Sequence, residues 1–252
     1  MIGKSVFVVG GASGIGLAAA RHFIACGAAT TIVDVSAEKV EVAKRTLAVP
    51  GARVQGYAAD IREPASLQLA FAQGAAGHGG VDALVFTAGV LLPATLSEMT
   101  DADYDMTFDV NTKGFWRCFQ AAEPYFPDIG GAIVAVSSAA GQRPKAGNGA
   151  YAASKAALQF LVRTLALEVA HRQLRVNCVA PSMLDTPMTK KILASPSEGK
   201  FTLTSATPLG RMCIPADVVQ AIAFLCSDQA SFITGTTLAV DGGSTAGVPL
   251  AS

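Results

Sequence analysis

Seven short runs of mostly β-branched and small apolar residues recur along the chain, each parted from the next by a longer stretch, and this alternation leaves few folds open. The runs are Ser5–Val9, Thr30–Val33, Val54–Ala58, Ala83–Phe86, Ala132–Val136, Arg175–Val179 and Thr237–Val240. Between them the residue spacing predicts helices over Ile15–Cys26, Ala37–Leu47, Pro64–Gly77, Asp101–Phe126, Ala150–His171 and Pro215–Ser227. Strands this short and this apolar, joined by helical crossovers, belong in a parallel sheet buried on both faces. The expected fold class is α/β: a single doubly wound, Rossmann-type parallel sheet of about seven strands with helices on both faces. Local signals agree. Gly27 after Cys26 suits the left-handed residue that closes a helix, Thr100 with Asp103 resembles a capping box, and Pro215 fits a first helical turn.

No repeat, low-complexity tract or linker interrupts the pattern, so residues 1–252 are read as one domain. A chain of that size buries roughly 70–75% of its unfolded surface and needs no cross-link. One segment stands apart: 183–207 shows neither a clean strand nor a clean helix, and a connection that long is expected to be a lid. The 19 basic and 19 acidic residues cancel, and no Lys/Arg run exceeds a pair. That argues against a nucleic acid or an anionic membrane as partner. Five scattered cysteines without a CxxC pair, and three distant histidines, suggest thiols in a reducing compartment and no metal site. No stretch approaches the roughly 18 apolar residues of a membrane helix. The run Val6–Val9 behind Lys4 ends at once in glycine, unlike a targeting signal. A cytoplasmic protein is expected.

The first strand runs into Gly10-Gly11-Ala12-Ser13-Gly14-Ile15-Gly16 and then a helix. Glycines there permit a tight turn and bring backbone close to a pyrophosphate, which the helix N-terminus then faces. The next strand ends at Asp34, 18 residues after Gly16, where a carboxylate accepts hydrogen bonds from ribose hydroxyls and repels a 2′-phosphate. The expected cofactor is therefore NAD. Downstream, Tyr151 and Lys155 lie four residues apart at the start of a long helix, on one face. A nearby ammonium is expected to lower the tyrosine pKa by favouring phenolate. Ser138, 13 residues before Tyr151, follows a strand at the edge where parallel sheets present functional groups.

Taken together and in this order, these residues resemble the short-chain dehydrogenase/reductase family in its compact form. The resemblance runs from the glycine loop to Val240-Asp241-Gly242-Gly243 and includes Asp60, Ala88-Gly89, Asn111, Ser138, Tyr151 and Lys155. It implies that Tyr151 exchanges a proton with the substrate oxygen, that Ser138 hydrogen-bonds that oxygen, and that Lys155 lowers the tyrosine pKa and holds the nicotinamide ribose. It implies a water-anchoring role for Asn111, which a bare reading finds unfavourably placed in mid-helix. Asp60 and Ile61 would border the adenine. Thr87, Ala88, Gly89 and Pro181 would line the cofactor, with Leu184 and Thr186 at its carboxamide end. The resemblance also suggests a homotetramer built through Asp101–Phe126, Ala150–His171 and the last strand. Three departures stand out. Val9 replaces the usual threonine, and Phe86-Thr87 replaces a pair of asparagines, both changes removing side-chain hydrogen bonds that stitch the sheet. Ser182 replaces a glycine and adopts positive φ less readily.

The residues expected around the reacting carbon are Val90, Leu91 and Leu92; Ser138, Ala139, Ala140 and Gln142; Tyr151; and Leu184, Met188, Ile192 and Leu193. None is charged. Burying an unpaired charge costs several kcal/mol, whereas apolar contact gains roughly 25 cal/mol per Å². The nearest charges, Arg143, Lys145, Lys190 and Lys191, are read as solvated rim or lid residues. The expected substrate is a small neutral, hydrocarbon or cyclic secondary alcohol or its ketone. An NADPH-dependent ketone or 3-oxoacyl-carrier reductase is the alternative, and a cofactor-binding protein without catalysis stands behind both.

Overall fold

The computed structural model describes residues 1–184 and 207–247. Its strands are β1 (Ser5–Val9), β2 (Ala29–Asp34), β3 (Arg53–Ala58), β4 (Ala83–Phe86), β5 (Ala132–Val136), β6 (Arg175–Pro181) and β7 (Thr237–Val240). They form one sheet in the order β3-β2-β1-β4-β5-β6-β7, with every neighbouring pair parallel. The described α-helices are α1 (Gly14–Ala25), α2 (Ala37–Leu47), α3 (Pro64–His78), α4 (Asp101–Phe108), α5 (Gly114–Ala122), α6 (Gly149–Val169) and α7 (Pro215–Cys226).

Successive strand residues point to opposite faces, so a strand covered on both sides is mostly apolar on both. Phe7, Val9, Leu84 and Phe86 pack under α3, α5 and α6, with Phe71, Phe115 and Leu158. Val6, Val8 and Val85 pack under α1, α2 and α7, with Phe23, Val40 and Ile222. The strand order turns back on itself between β1 and β4, and a crevice opens there beyond the carboxyl ends of the strands.

Four expectations change. The helix predicted over Asp101–Phe126 is continuous but not uniform: α4 passes into a π-helical turn at Asp109–Lys113, then α5, then a 3₁₀ turn at Glu123–Tyr125. The widened turn carries Asn111, which long-range hydrogen bonds hold, as described below. The capping box is one-sided: the Thr100 hydroxyl accepts from the Asp103 amide at 3.1 Å and donates to the Asp103 carboxylate at 2.9 Å. Thr87 restores the stitching its departure was expected to remove, since its hydroxyl donates to the carbonyls of Val9 (2.8 Å) and Gly10 (3.2 Å). Among the described residues Gln173 is the sole non-glycine with positive φ, so Ser182 keeps an ordinary backbone, its amide donating to Val240 at 3.2 Å. Of the segment 183–207 read as a lid, only Met183, Leu184 and Thr207 are described. Thr186, Met188, Lys190, Lys191, Ile192 and Leu193 lie outside the described residues. No described helix is long and apolar enough to cross a membrane.

Candidate active site

The glycine loop and the end of β4 are pressed together. Gly10 has φ +77°, and a Cβ there would lie 2.7 Å from the Ala88 nitrogen. A Cβ on Gly16 would strike the Gly10 carbonyl and come within 2.6 Å of the Thr87 hydroxyl. Ser13 precedes α1 without a side-chain cap, which leaves the first amides of that helix without this partner. At the end of β2, Asp34 accepts from the amides of Ala12 (3.2 Å) and Ser36 (3.4 Å). A carboxylate offers about four lone pairs, so acceptor capacity remains for two hydroxyls. Bare backbone at a helix start beside a loop-tethered carboxylate fits a dinucleotide: Gly10, Gly14, Ile15 and Gly16 would meet the pyrophosphate and Asp34 the ribose.

Two expected adenine neighbours behave differently from one another. The Asp60 carboxylate is gripped by the Arg62 guanidinium at 2.6 and 3.0 Å and by the Arg62 amide at 2.8 Å. That grip holds its pKa below the usual carboxylate value and takes most of its acceptor capacity. The Ile61 side chain is buried in the core, where a Cβ on Gly114 would collide with it. Only the backbone of Ile61 remains for a ligand.

Ser138 follows β5, and Tyr151 and Lys155 lie on the first turns of α6. The Ser138 side chain lies close enough to the Tyr151 phenol to favour its ionised form, and the Ala140 amide donates to Ser138 Oγ at 3.1 Å. Lys155 is 4% exposed, sits 5.8 Å from the Tyr151 ring centroid and donates to the Val136 carbonyl at 3.0 Å. Burial pushes the Tyr151 phenol up, and the Ser138 side chain only partly opposes it. This corrects the expected lowering by Lys155. Burial pushes the Lys155 ammonium down to about 8, and it donates to the Val136 carbonyl.

That depression has a sign for stability. Between pH 8 and 10.5 the unfolded chain binds a proton at Lys155 that the folded protein has released, so folding gains as the pH rises. Relative to Lys155→Met, the wild type should gain up to about 3 kcal/mol across that window. Thermal unfolding of both proteins at pH 7 and pH 10 checks this, and a constant difference in Tm would contradict it.

Asn111, fully buried in the π-helical turn, accepts from the Val90 amide at 2.8 Å and donates to the Val90 carbonyl (2.9 Å) and to Ser154 Oγ (3.0 Å). It clasps the segment after β4 to α6, and only one lone pair of its amide oxygen stays open for a water. A Cβ on Gly89 would sit 3.2 Å from that oxygen and 3.3 Å from Lys155 Nζ, so Ala88-Gly89 passes directly over both groups.

Leu91, Ala139 and Ala140 are half-buried, Gln142 is exposed, and Leu184 is buried beside Cys213. Pro181 is the last residue of β6. Arg143 is exposed and donates to the Ser244 carbonyl at 2.8 Å, so one guanidinium nitrogen is engaged by the C-terminal turn. Two polar residues beside the set escaped the sequence reading. Ser137 and Gln159 are buried at 3% and 6% exposure and hydrogen-bonded to one another. The available signal was periodicity, because Gln159 lies one helical turn beyond Lys155 on the face that carries Tyr151.

The family model described as enoyl-(acyl carrier protein) reductase matches residues 10–245. The chain is 37% identical over 243 residues to a 3-oxoacyl-[acyl-carrier-protein] reductase of Thermotoga maritima, covering 96% of this chain and 97% of that one. It is 39% identical over 241 residues to a cis-4-hydroxycyclohexanecarboxylate dehydrogenase of Sinomonas cyclohexanicum, covering 95% of each. Its structure superposes on that of a 3-ketoacyl-(acyl-carrier-protein) reductase from Brucella melitensis complexed with NADH, with a TM-score of 0.87, 29% identity and coverage of 97% and 99%.

Proposed function

We propose, since the chain belongs to the short-chain dehydrogenase/reductase family, that it transfers a hydride between NAD(H) and a neutral secondary alcohol or its ketone. Membership makes it an oxidoreductase with a nicotinamide cofactor. The observation that carries the finer reading is the grouping of Ser138, Tyr151 and buried Lys155, with Lys155 Nζ 5.8 Å from the Tyr151 ring centroid and directly under Gly89.

The cofactor would supply or accept the hydride; the chain handles the proton and the geometry. Ketone reduction takes a proton from the Tyr151 phenol as the carbonyl oxygen becomes an alcohol, and oxidation returns it. Ser138 donates to that oxygen while charge develops on it, from a hydroxyl already fixed by the Ala140 amide. Lys155, held against β5, offsets the charge left on Tyr151 when the proton departs. Asn111 holds the loop after Gly89 in place and keeps one lone pair for a water beside Lys155.

Support for a neutral substrate is that Leu91 and Ala140, two of the residues expected around the reacting carbon, are apolar and half-buried, together with the engagement of Arg143 by Ser244. The Sinomonas relative favours a cyclic secondary alcohol carrying a carboxylate, and the Thermotoga relative a 3-oxoacyl group on an acyl carrier protein. Comparing kcat/KM for cyclohexanol, cis-4-hydroxycyclohexanecarboxylate and a 3-hydroxyacyl thioester separates the three. Cyclohexanol should lead, with Arg143→Ala leaving its value unchanged. A lead for either charged substrate that Arg143→Ala abolishes would overturn the neutral reading.

The family also supports a homotetramer. The large apolar side chains left exposed at Trp116 on α5, Phe160 and Leu167 on α6, and Phe232 and Leu238 at the β7 end suit such contacts. Five free thiols suit the cytoplasm.

A further inference from the structure

We propose that Gln159 is a positioning residue: its side-chain amide ties the turn that carries Ser138 to α6 and thereby sets the approach of the Ser138 hydroxyl to Tyr151. The proposal rests on the reading of Ser138 and Tyr151 as the reacting pair.

Three consecutive residues at the carboxyl end of β5 are each fastened to α6. The Val136 carbonyl accepts from Lys155 Nζ at 3.0 Å. The Ser137 hydroxyl donates to the Lys155 carbonyl at 2.9 Å. Gln159 Nε2 then donates twice, to Ser137 Oγ at 3.0 Å and to the Ser138 carbonyl at 3.2 Å. A carbonyl only accepts, so the amide orientation is fixed: the NH₂ must face β5 and both its hydrogens are used. Ser137 completes the relay, accepting from Gln159 while donating to the helix backbone.

Packing leaves no slack around this clasp. A Cβ on Gly141, three residues past Ser138, would lie 2.8 Å from Gln159 Nε2 and 2.9 Å from both the Ala156 nitrogen and the Lys155 carbonyl carbon. The turn after Ser138 is thus pressed directly onto the helix that bears Tyr151 and Lys155. Replacing Gln159 by leucine keeps the apolar bulk but leaves the Ser138 carbonyl without this donor. The turn is then free to shift by a fraction of an ångström, which moves the Ser138 hydroxyl relative to Tyr151. Geometry at that scale governs proton transfer, and misplacements of about 1 Å can cost 10²-fold in rate.

The test compares wild type, Gln159→Leu and Ser137→Ala, each with its Tyr151→Phe counterpart. The ultraviolet difference between partners isolates the Tyr151 phenol in alkaline titration. Lys155 is common to all of them, so its contribution cancels. In Gln159→Leu the midpoint should move to higher pH, because the Ser138 side chain favours phenolate. In NAD-linked turnover kcat should fall by about tenfold with KM for NAD unchanged, the mark of an interaction that matters in the transition state. Ser137→Ala, which removes one of the two acceptors, should shift both readouts in the same direction by less, and stands in should Gln159→Leu not fold. An unchanged titration midpoint in a folded variant overturns the proposal, even with a lowered Tm. Should the wild type show no NAD-linked turnover, the functional reading fails, while the titration still decides the role of Gln159.

Discussion

Tyr151→Phe is expected to lower kcat by about 10²–10⁴-fold while leaving the affinity for NAD near that of the wild type. The substitution removes one hydroxyl from a half-buried ring and leaves Lys155 anchored to Val136, so the fold and the cofactor cleft should persist. What disappears is the proton donor beside Ser138. The wild type should also show a pH dependence that the variant lacks. Burial keeps Tyr151 protonated at neutral pH, which suits it as the acid in ketone reduction and makes it a poor base for alcohol oxidation. Oxidation should therefore quicken as the pH rises from neutral, and this rise should vanish in Tyr151→Phe. Retention of more than about a tenth of wild-type kcat would remove Tyr151 from the mechanism.

A second large effect is expected at Asp34. Wild-type kcat/KM for NAD should exceed that for NADP by at least about 10²-fold, equivalent to about 2.7 kcal/mol. The carboxylate is tethered by two loop amides and forms no ion pair among the described residues, so a 2′-phosphate placed there would meet an uncompensated negative charge. Arg62, after the neighbouring strand β3, is already bound to Asp60 through two guanidinium nitrogens. Asp34→Ala should narrow the preference, chiefly by improving NADP. Comparable activity with both cofactors in the wild type would refute the assignment.

What the sequence made legible follows from burial. β1, β4 and β5 begin and end where their apolar runs do, because a strand covered on both faces is mostly apolar. Glycine-loop geometry was readable for the same reason, since side chains are sterically barred at Gly10 and Gly16. Features set by distant partners were not. The π-helical turn in the long predicted helix carries Asn111, which reaches Val90, 21 positions away in sequence, and periodicity carries no trace of that contact. Spacing places Lys155 on the face of Tyr151 but says nothing of desolvation, which decides the direction of the tyrosine shift. Arg62 competes for Asp60 across two residues, a contact that depends on rotamer choice rather than pattern. Gln159 reads as one more polar residue of a helix until the strand end it grips is in view.

The account stands on direct hydride transfer between an unactivated carbinol carbon and NAD, with Tyr151 handling the proton. Its most direct test incubates the protein with NAD and a panel of neutral secondary alcohols deuterated at the carbinol carbon, then weighs the reduced cofactor by mass spectrometry. One deuterium per molecule of NADH formed is the expected result, with product formation collapsing in Tyr151→Phe. NADH without deuterium, or full deuterium transfer by the Tyr151→Phe protein at the wild-type rate, would contradict it.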